Sequence, residues 1–128
     1  MKAVQIKENI YWVGGIDWNL RNFHGYLTQK GSTYNAYLII DDKVTLIDTV
    51  KYYHYDEMIE RISSVIDPAK IDYIISNHAE MDHSGALPDL LKLIPDTEII
   101  VTANGERALK SYFKENWKFR TIKAGDSL

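Results

Sequence analysis

Ile71-Asp72-Tyr73-Ile74-Ile75-Ser76-Asn77-His78-Ala79-Glu80-Met81-Asp82-His83-Ser84-Gly85 carries four metal-ligand side chains within six residues: His78, Glu80, Asp82 and His83. Its first half, Ile71 to Asn77, reads as a short buried strand, and Ser84-Gly85 followed by Ala86 to Leu93 reads as the start of a helix. The cluster therefore lies where the carboxyl end of a strand hands over to a helix. In open α/β folds the loops at that end converge on a crevice, which is where ligands bind. A solvated turn with idle histidines is the competing reading, and the density of ligand-type side chains behind an apolar strand argues against it.

In an extended loop alternate side chains point the same way, so His78, Glu80 and Asp82 are expected on one side, with His83 diverging from them. One ion cannot readily take all four. His78 with Glu80 on one ion, and Asp82 with His83 on a second, fits the spacing better and makes the site binuclear. The donors are imidazole and carboxylate, and the chain has no cysteine. That mixture suits iron, manganese or zinc and excludes iron–sulfur and cysteine–zinc sites formed from this chain.

The motif His-x-Glu-x-Asp-His at a strand end resembles the signature of flavodiiron proteins. Two further segments resemble that family's N-terminal region: Trp18-Asn19-Leu20-Arg21-Asn22-Phe23-His24-Gly25-Tyr26 and Thr33-Tyr34-Asn35-Ala36-Tyr37-Leu38-Ile39. The resemblance covers essentially the whole chain. It implies an α/β (α+β) fold, the first half of a metallo-β-lactamase-like αββα sandwich. It also implies an oxidoreductase that reduces oxygen to water or nitric oxide to nitrous oxide at two non-haem irons fed by FMN. The implied metal ligands are His78, Glu80, Asp82 and His83, with no cofactor-binding residue for FMN in this chain. Asp48 matches the superfamily's strand-end aspartate, which hydrogen-bonds around the metal loop. His24 falls in the segment over the metal site, where it is a candidate proton donor. The implied electron donor is a rubredoxin or a reduced flavin or deazaflavin cofactor, and the implied assembly is a homo-oligomer. Hydrolases of the superfamily place histidine at the position of Glu80; an anionic oxygen ligand there hardens the site and favours ferric iron over a Lewis-acidic zinc.

With 128 residues and 45% hydrophobic content, the chain has room for one core and not for two comfortable domains. A net charge of −3 and a pI near 5.8 leave no electrostatic footprint for nucleic acid. No apolar run approaches a membrane span, and Met1-Lys2-Ala3-Val4 does not open a signal peptide, so a cytoplasmic location is expected. The lack of cysteine fits a reducing compartment.

The early chain reads as β-rich. Val4 to Ile6 and Ile10 to Val13 are expected to form a hairpin, Ile16 to Tyr26 a loop, and Thr33 to Ile40 a strand paired with Val44 to Asp48 around Asp41-Asp42. Beyond this, Tyr55 to Ile66 is helical by periodicity and closed by Pro68. A strand at Glu98 to Thr102, a helix from Gly105 to Asn116 and a strand at Phe119 to Lys123 complete an α/β alternation. Gly125-Asp126-Ser127 is turn chemistry, so a β-rich second half is expected beyond Leu128. By resemblance, that half supplies a third histidine, a bridging aspartate and a further histidine, followed by a flavodoxin-like FMN domain. Four ligands cannot close two coordination shells, so the chain reads as a fragment.

His54, before a helix, is expected in a capping loop, and Tyr34 and Tyr37 as packing groups with wet hydroxyls on one alternating strand. Arg107, Lys110, Lys114 and Lys118 form a basic edge, read as a solvated face. Two other functions compete: a binuclear metal hydrolase of the same superfamily, and a non-catalytic assembly subunit that inherits the motif unfilled.

Overall fold

The core is built on one row of side chains. Leu38, Leu46, Ile74 and Ile99 lie directly across from one another on four neighbouring strands, and all four are fully buried. Those strands belong to a seven-stranded sheet in the computed structural model, which describes residues 1–128. The strands are β1 (Val4–Lys7), β2 (Ile10–Trp12), β3 (Gly15–Asp17), β4 (Asn22–Phe23), β5 (Tyr26–Leu27), β6 (Ser32–Tyr34), β7 (Tyr37–Ile40), β8 (Val44–Ile47), β9 (Tyr73–Ile75), β10 (Glu98–Val101) and β11 (Phe119–Thr121). The large sheet has the order β1-β2-β7-β8-β9-β10-β11, antiparallel up to β8 and parallel from β8 onward.

Because β8 to β11 follow one another in the same direction, every crossover returns on the same face. The helices α1 (Tyr55–Ser63), α3 (Leu87–Leu93) and α4 (Ala103–Phe113) accordingly send Met58, Ile62, Leu87, Leu90 and Leu109 into one cluster with the central row. A fourth helix, α2 (Met81–Ser84), is a single turn. The other face of the sheet carries Tyr37, Ile47, Ile75 and Ile100 in register, with Ile39, Thr45 and Tyr73 beside them, and none of these belongs to the core cluster. The described part is thus one helical layer on one sheet, the mixed sheet and helices of the N-terminal half of the expected fold. No helix is long and apolar enough to cross a membrane.

Three expectations change. Thr33 to Ile40 is not one strand: β6 pairs with β3 in a separate two-stranded sheet, and the chain crosses into the large sheet at Asn35-Ala36. Tyr34 and Tyr37 therefore do not share a strand, and the Tyr34 hydroxyl is not wet but buried on a carboxylate. The loop from Ile16 to Tyr26 contains β3 and the small β4–β5 hairpin. The last helix begins earlier, at Ala103, because the Thr102 hydroxyl accepts the Gly105 N–H at 3.1 Å and caps it; it ends where Lys114 turns left-handed.

Candidate metal centre

Asp48 leaves β8 with φ 55°, in the left-handed region that aspartate and asparagine enter more readily than other non-glycine residues. The turn brings its carboxylate alongside the end of β9. There Oδ1 accepts the Asn77 N–H at 2.7 Å, and Oδ2 accepts the Asn77 side-chain amide at 3.3 Å. The Nδ1 atom of His83 lies 3.2 Å from the same Oδ2. Thr49 donates both its N–H and its hydroxyl to the His83 carbonyl, each at 2.8 Å. His83 is thus held by ring and backbone together, with Nε2 turned toward Asp82 Oδ2 at 3.3 Å. A carboxylate on one imidazole nitrogen leaves the other as a lone-pair donor for a metal.

The expectation of an extended loop holds only up to Glu80. From Met81 the chain enters α2, with Glu80 as its extended N-cap, and the Ser84 hydroxyl bonds back to the carbonyls of Ala79 and Glu80. A helical turn rotates successive side chains by about 100°, so Asp82 is placed by helix geometry and not by strand alternation. Gly85 makes the turn possible: a Cβ there would stand 2.5 Å from the Met81 carbonyl oxygen and 2.9 Å from the Tyr52 nitrogen. Gly85→Ala is therefore expected to destabilise by about 1–3 kcal/mol, read as a lowered denaturant midpoint.

His78 Nε2 lies 3.1 Å from Glu80 Oε2, and the His78 and His83 rings meet edge-on at 5.2 Å. His24 arrives from the other side. It and Gly25 are the two central residues of the β4–β5 hairpin, with φ 51° and 81°, the pair of left-handed residues that a type I′ turn requires. This places His24 Nε2 3.6 Å from Glu80 Oε2. One donor atom from each of His24, Glu80 and Asp82 falls within 4.8 Å of the others, a cluster that motif spacing did not bring together. These three share an open cleft of about 480 Å³ with Phe23, Lys51 and Tyr112. Nitrogen and carboxylate oxygen are the donors a first-row metal such as iron takes, so the residues fit the implied group.

Nothing near Lys51 in the chain marks it as part of a site. Its ammonium lies 5.2 Å from the ring centres of Phe23 and Tyr34 and 5.8 Å from that of Tyr53. His54 is the N-cap residue of α1, in the capping position expected, although its side chain makes no capping bond. Its Nδ1 pairs instead with Glu57 Oε2 at 2.9 Å, and its Nε2 faces Asp17 Oδ2 at 3.9 Å. On the basic edge, Lys110 pairs with Glu106, and Lys118 and Arg120 with Glu98.

Burial by itself would raise the Asp17 and Glu57 carboxyls. Hydrogen bonds outweigh it, from Tyr34 and Tyr53 to Asp17 and from Arg61 and His54 to Glu57, and hold both below the usual carboxylate range. Groups depressed in the folded state contribute stability that is present above their unfolded values, about pH 4, and lost as pH falls through the folded values. The denaturant midpoint is accordingly expected to drop as pH falls below about 5, and Asp17→Asn to flatten part of that slope.

Residues 33–127 match the family model described as "ODP family beta lactamase". The chain is 42% identical over 130 aligned residues to a nitric oxide reductase of Moorella thermoacetica, covering 99% of this chain and 33% of that protein. It is 45% identical to the rubredoxin-oxygen oxidoreductase of Megalodesulfovibrio gigas, covering 100% of this chain and 32% of that one. The flavodiiron protein of Giardia intestinalis superposes with a TM-score of 0.93 at 35% identity, over 100% of this chain and 32% of its own. The chain spans about a third of the length of these relatives. Its fold, its motif and these likenesses place it in the ODP beta-lactamase family, as the counterpart of the N-terminal part of flavodiiron proteins.

Proposed function

We propose that this chain supplies one wall of the di-iron site of a flavodiiron-type oxidoreductase that reduces oxygen to water, nitric oxide to nitrous oxide, or both. The observation that carries the reading is Glu80, a carboxylate 3.1 Å from His78 and 3.6 Å from His24 in a cleft that also holds Asp82. A zinc hydrolase would want a neutral nitrogen at that position to keep its metal Lewis-acidic.

His78, Glu80, Asp82 and His83 would hold the metal. When bound, two irons reduced through FMN supply electrons to a diatomic gas. The protein's own part is positional. Asp48 fixes the His83 ring, and Thr49 fixes its backbone. His24, half exposed at the hairpin tip, faces the cleft and is placed to move a proton there. The remaining ligands and the FMN site belong to segments outside this chain. Rubredoxin as donor is supported by the name of the Megalodesulfovibrio relative; a cytoplasmic homo-oligomer completes the proposal.

The test is iron analysis of the full-length gene product together with oxygen and nitric oxide consumption under a reduced rubredoxin or flavin donor. About two irons per chain with gas consumption supports the reading. Stoichiometric zinc with esterase or thioesterase activity overturns it in favour of the hydrolase.

A further inference from the structure

Asp17 lies outside the ligand motif, yet it is buried and its two oxygens hold two different structures. Oδ1 accepts the N–H groups of Asn19 at 3.1 Å and Leu20 at 3.0 Å, folding the chain back as it leaves β3. Oδ2 accepts the hydroxyls of Tyr34 at 2.8 Å and Tyr53 at 2.9 Å, and those hydroxyls are themselves 2.9 Å apart. Neither half ends at Asp17. The folded-back segment closes where the Thr28 hydroxyl donates to the Leu20 carbonyl at 2.6 Å and the Thr28 N–H to the Arg21 carbonyl at 3.0 Å. The hairpin that carries His24 is enclosed in that loop. At its far side Gly31, with φ 81°, packs so tightly on the Asp17 backbone that a Cβ would come 2.1 Å from its carbonyl oxygen. The clamped tyrosines, for their part, form with Phe23 the aromatic wall around the Lys51 ammonium. His24, Phe23 and Lys51 line the same cleft as Glu80 and Asp82. Of the groups that line the cleft with Glu80 and Asp82, His24, Phe23 and Lys51 are thus all connected to one carboxylate, and Tyr112 on α4 is not.

We propose that Asp17 is a positioning residue of the metal cleft: through the Trp18–Thr28 loop and the Tyr34–Tyr53 clamp it sets where His24 and Lys51 stand relative to Glu80 and Asp82. The proposal rests on the metal-site reading. A buried anion with four donors is rigid, because each donor would be left without a partner if the carboxylate moved.

Asp17→Asn separates this from a purely structural role. The amide oxygen still accepts the two backbone N–H groups, so the loop keeps its turn, but the amide NH₂ can only donate: both hydroxyls must turn their hydrogens elsewhere and the anion that held them is lost, which loosens the tyrosine clamp. The probe is Co²⁺ titrated into the metal-free full-length protein, with visible d–d bands reporting donor geometry and the titration giving Kd. Thr97→Val is the stability control, since Thr97 is buried at the far end of the sheet and its hydroxyl donates to the Ile71 carbonyl at 3.2 Å. Asp17→Asn is expected to weaken Co²⁺ binding about tenfold and to shift the bands, as loss of an orienting partner does at other metal sites. Thr97→Val is expected to lower Tm and leave both readings unchanged. Tyr53→Phe, a milder change that keeps the ring, should move the bands in the same direction by less, and serves if Asp17→Asn does not fold. Bands and Kd unchanged in Asp17→Asn and Tyr53→Phe, with only Tm lowered, would overturn the proposal while leaving the metal site standing. Co²⁺ binding that survives His78→Ala unaltered would show that the metal reading itself has failed, and the proposal with it.

Discussion

On the proposed di-iron reading, replacing Glu80 with histidine in the full-length protein is expected to end gas reduction and to exchange the bound metal from iron to zinc. Glu80 is the group on which His78 and His24 converge, with His78 Nε2 at 3.1 Å and His24 Nε2 at 3.6 Å from the same carboxylate oxygen. A carboxylate brings a negative charge and a hard donor, which stabilises the ferric state; a neutral imidazole brings neither and restores the nitrogen-rich set that suits zinc. The loss is expected to reach about a hundredfold or more in turnover, because it changes a donor and not merely its support. Oxygen or nitric oxide consumption and elemental analysis of the purified variant measure it. Iron content and turnover both at the unsubstituted level would show that Glu80 is not a ligand. The fold should survive, since Glu80 is half exposed and its side chain caps no helix.

The ligand turn was legible because its chemistry is local, four donors close together behind an apolar strand. The central row of the sheet was legible for the same reason: Leu38, Leu46, Ile74 and Ile99 each sit in short alternating or apolar runs. What lay hidden depends on distance or on brevity. Tyr34, Ala36 and Leu38 are all buried at alternate positions, so the period of two runs unbroken through Asn35-Ala36 although the chain changes sheets there. Alternation reports which face a residue takes and not which strand it pairs with. Helix α2 is four residues long, too short to show any helical period, so the sequence around Asp82 reads as extended loop. Asp17 could not be singled out, because the tyrosines that define it lie 17 and 36 residues along the chain. His24 was placed over the site by resemblance alone; its approach to Glu80 follows from a His-Gly type I′ turn, which the Asn22-Phe23-His24-Gly25-Tyr26 run does not advertise among so many polar and aromatic neighbours.

Expressed alone, the 128-residue chain is expected to self-associate, aggregate or capture a complementary polypeptide. The reason lies in the sheet face opposite the helices. Tyr37, Ile47, Ile75 and Ile100 form one row across four strands, flanked by Ile39, Thr45 and Tyr73, and none of them joins the core cluster that the helices pack against. Ile100 is shielded by its neighbours, but Tyr37, Ile39, Ile47, Tyr73 and Ile75 remain partly exposed. An apolar sheet face of this kind invites a second layer, and the relatives are about three times as long as this chain. Covering ~600 Å² of it at ~25 cal/mol per Å² offers on the order of 15 kcal/mol before ordering and association costs, an excess large enough to drive pairing. Sedimentation of the isolated chain, with and without a separately expressed segment that follows the matched region in the Megalodesulfovibrio relative, measures the outcome. Higher species or dye binding that collapse to a defined complex when that segment is added would match the expectation. A compact monomer that unfolds cooperatively and binds no hydrophobic dye would show that these residues close their own core, and that the row from Tyr37 to Ile100 needs no partner.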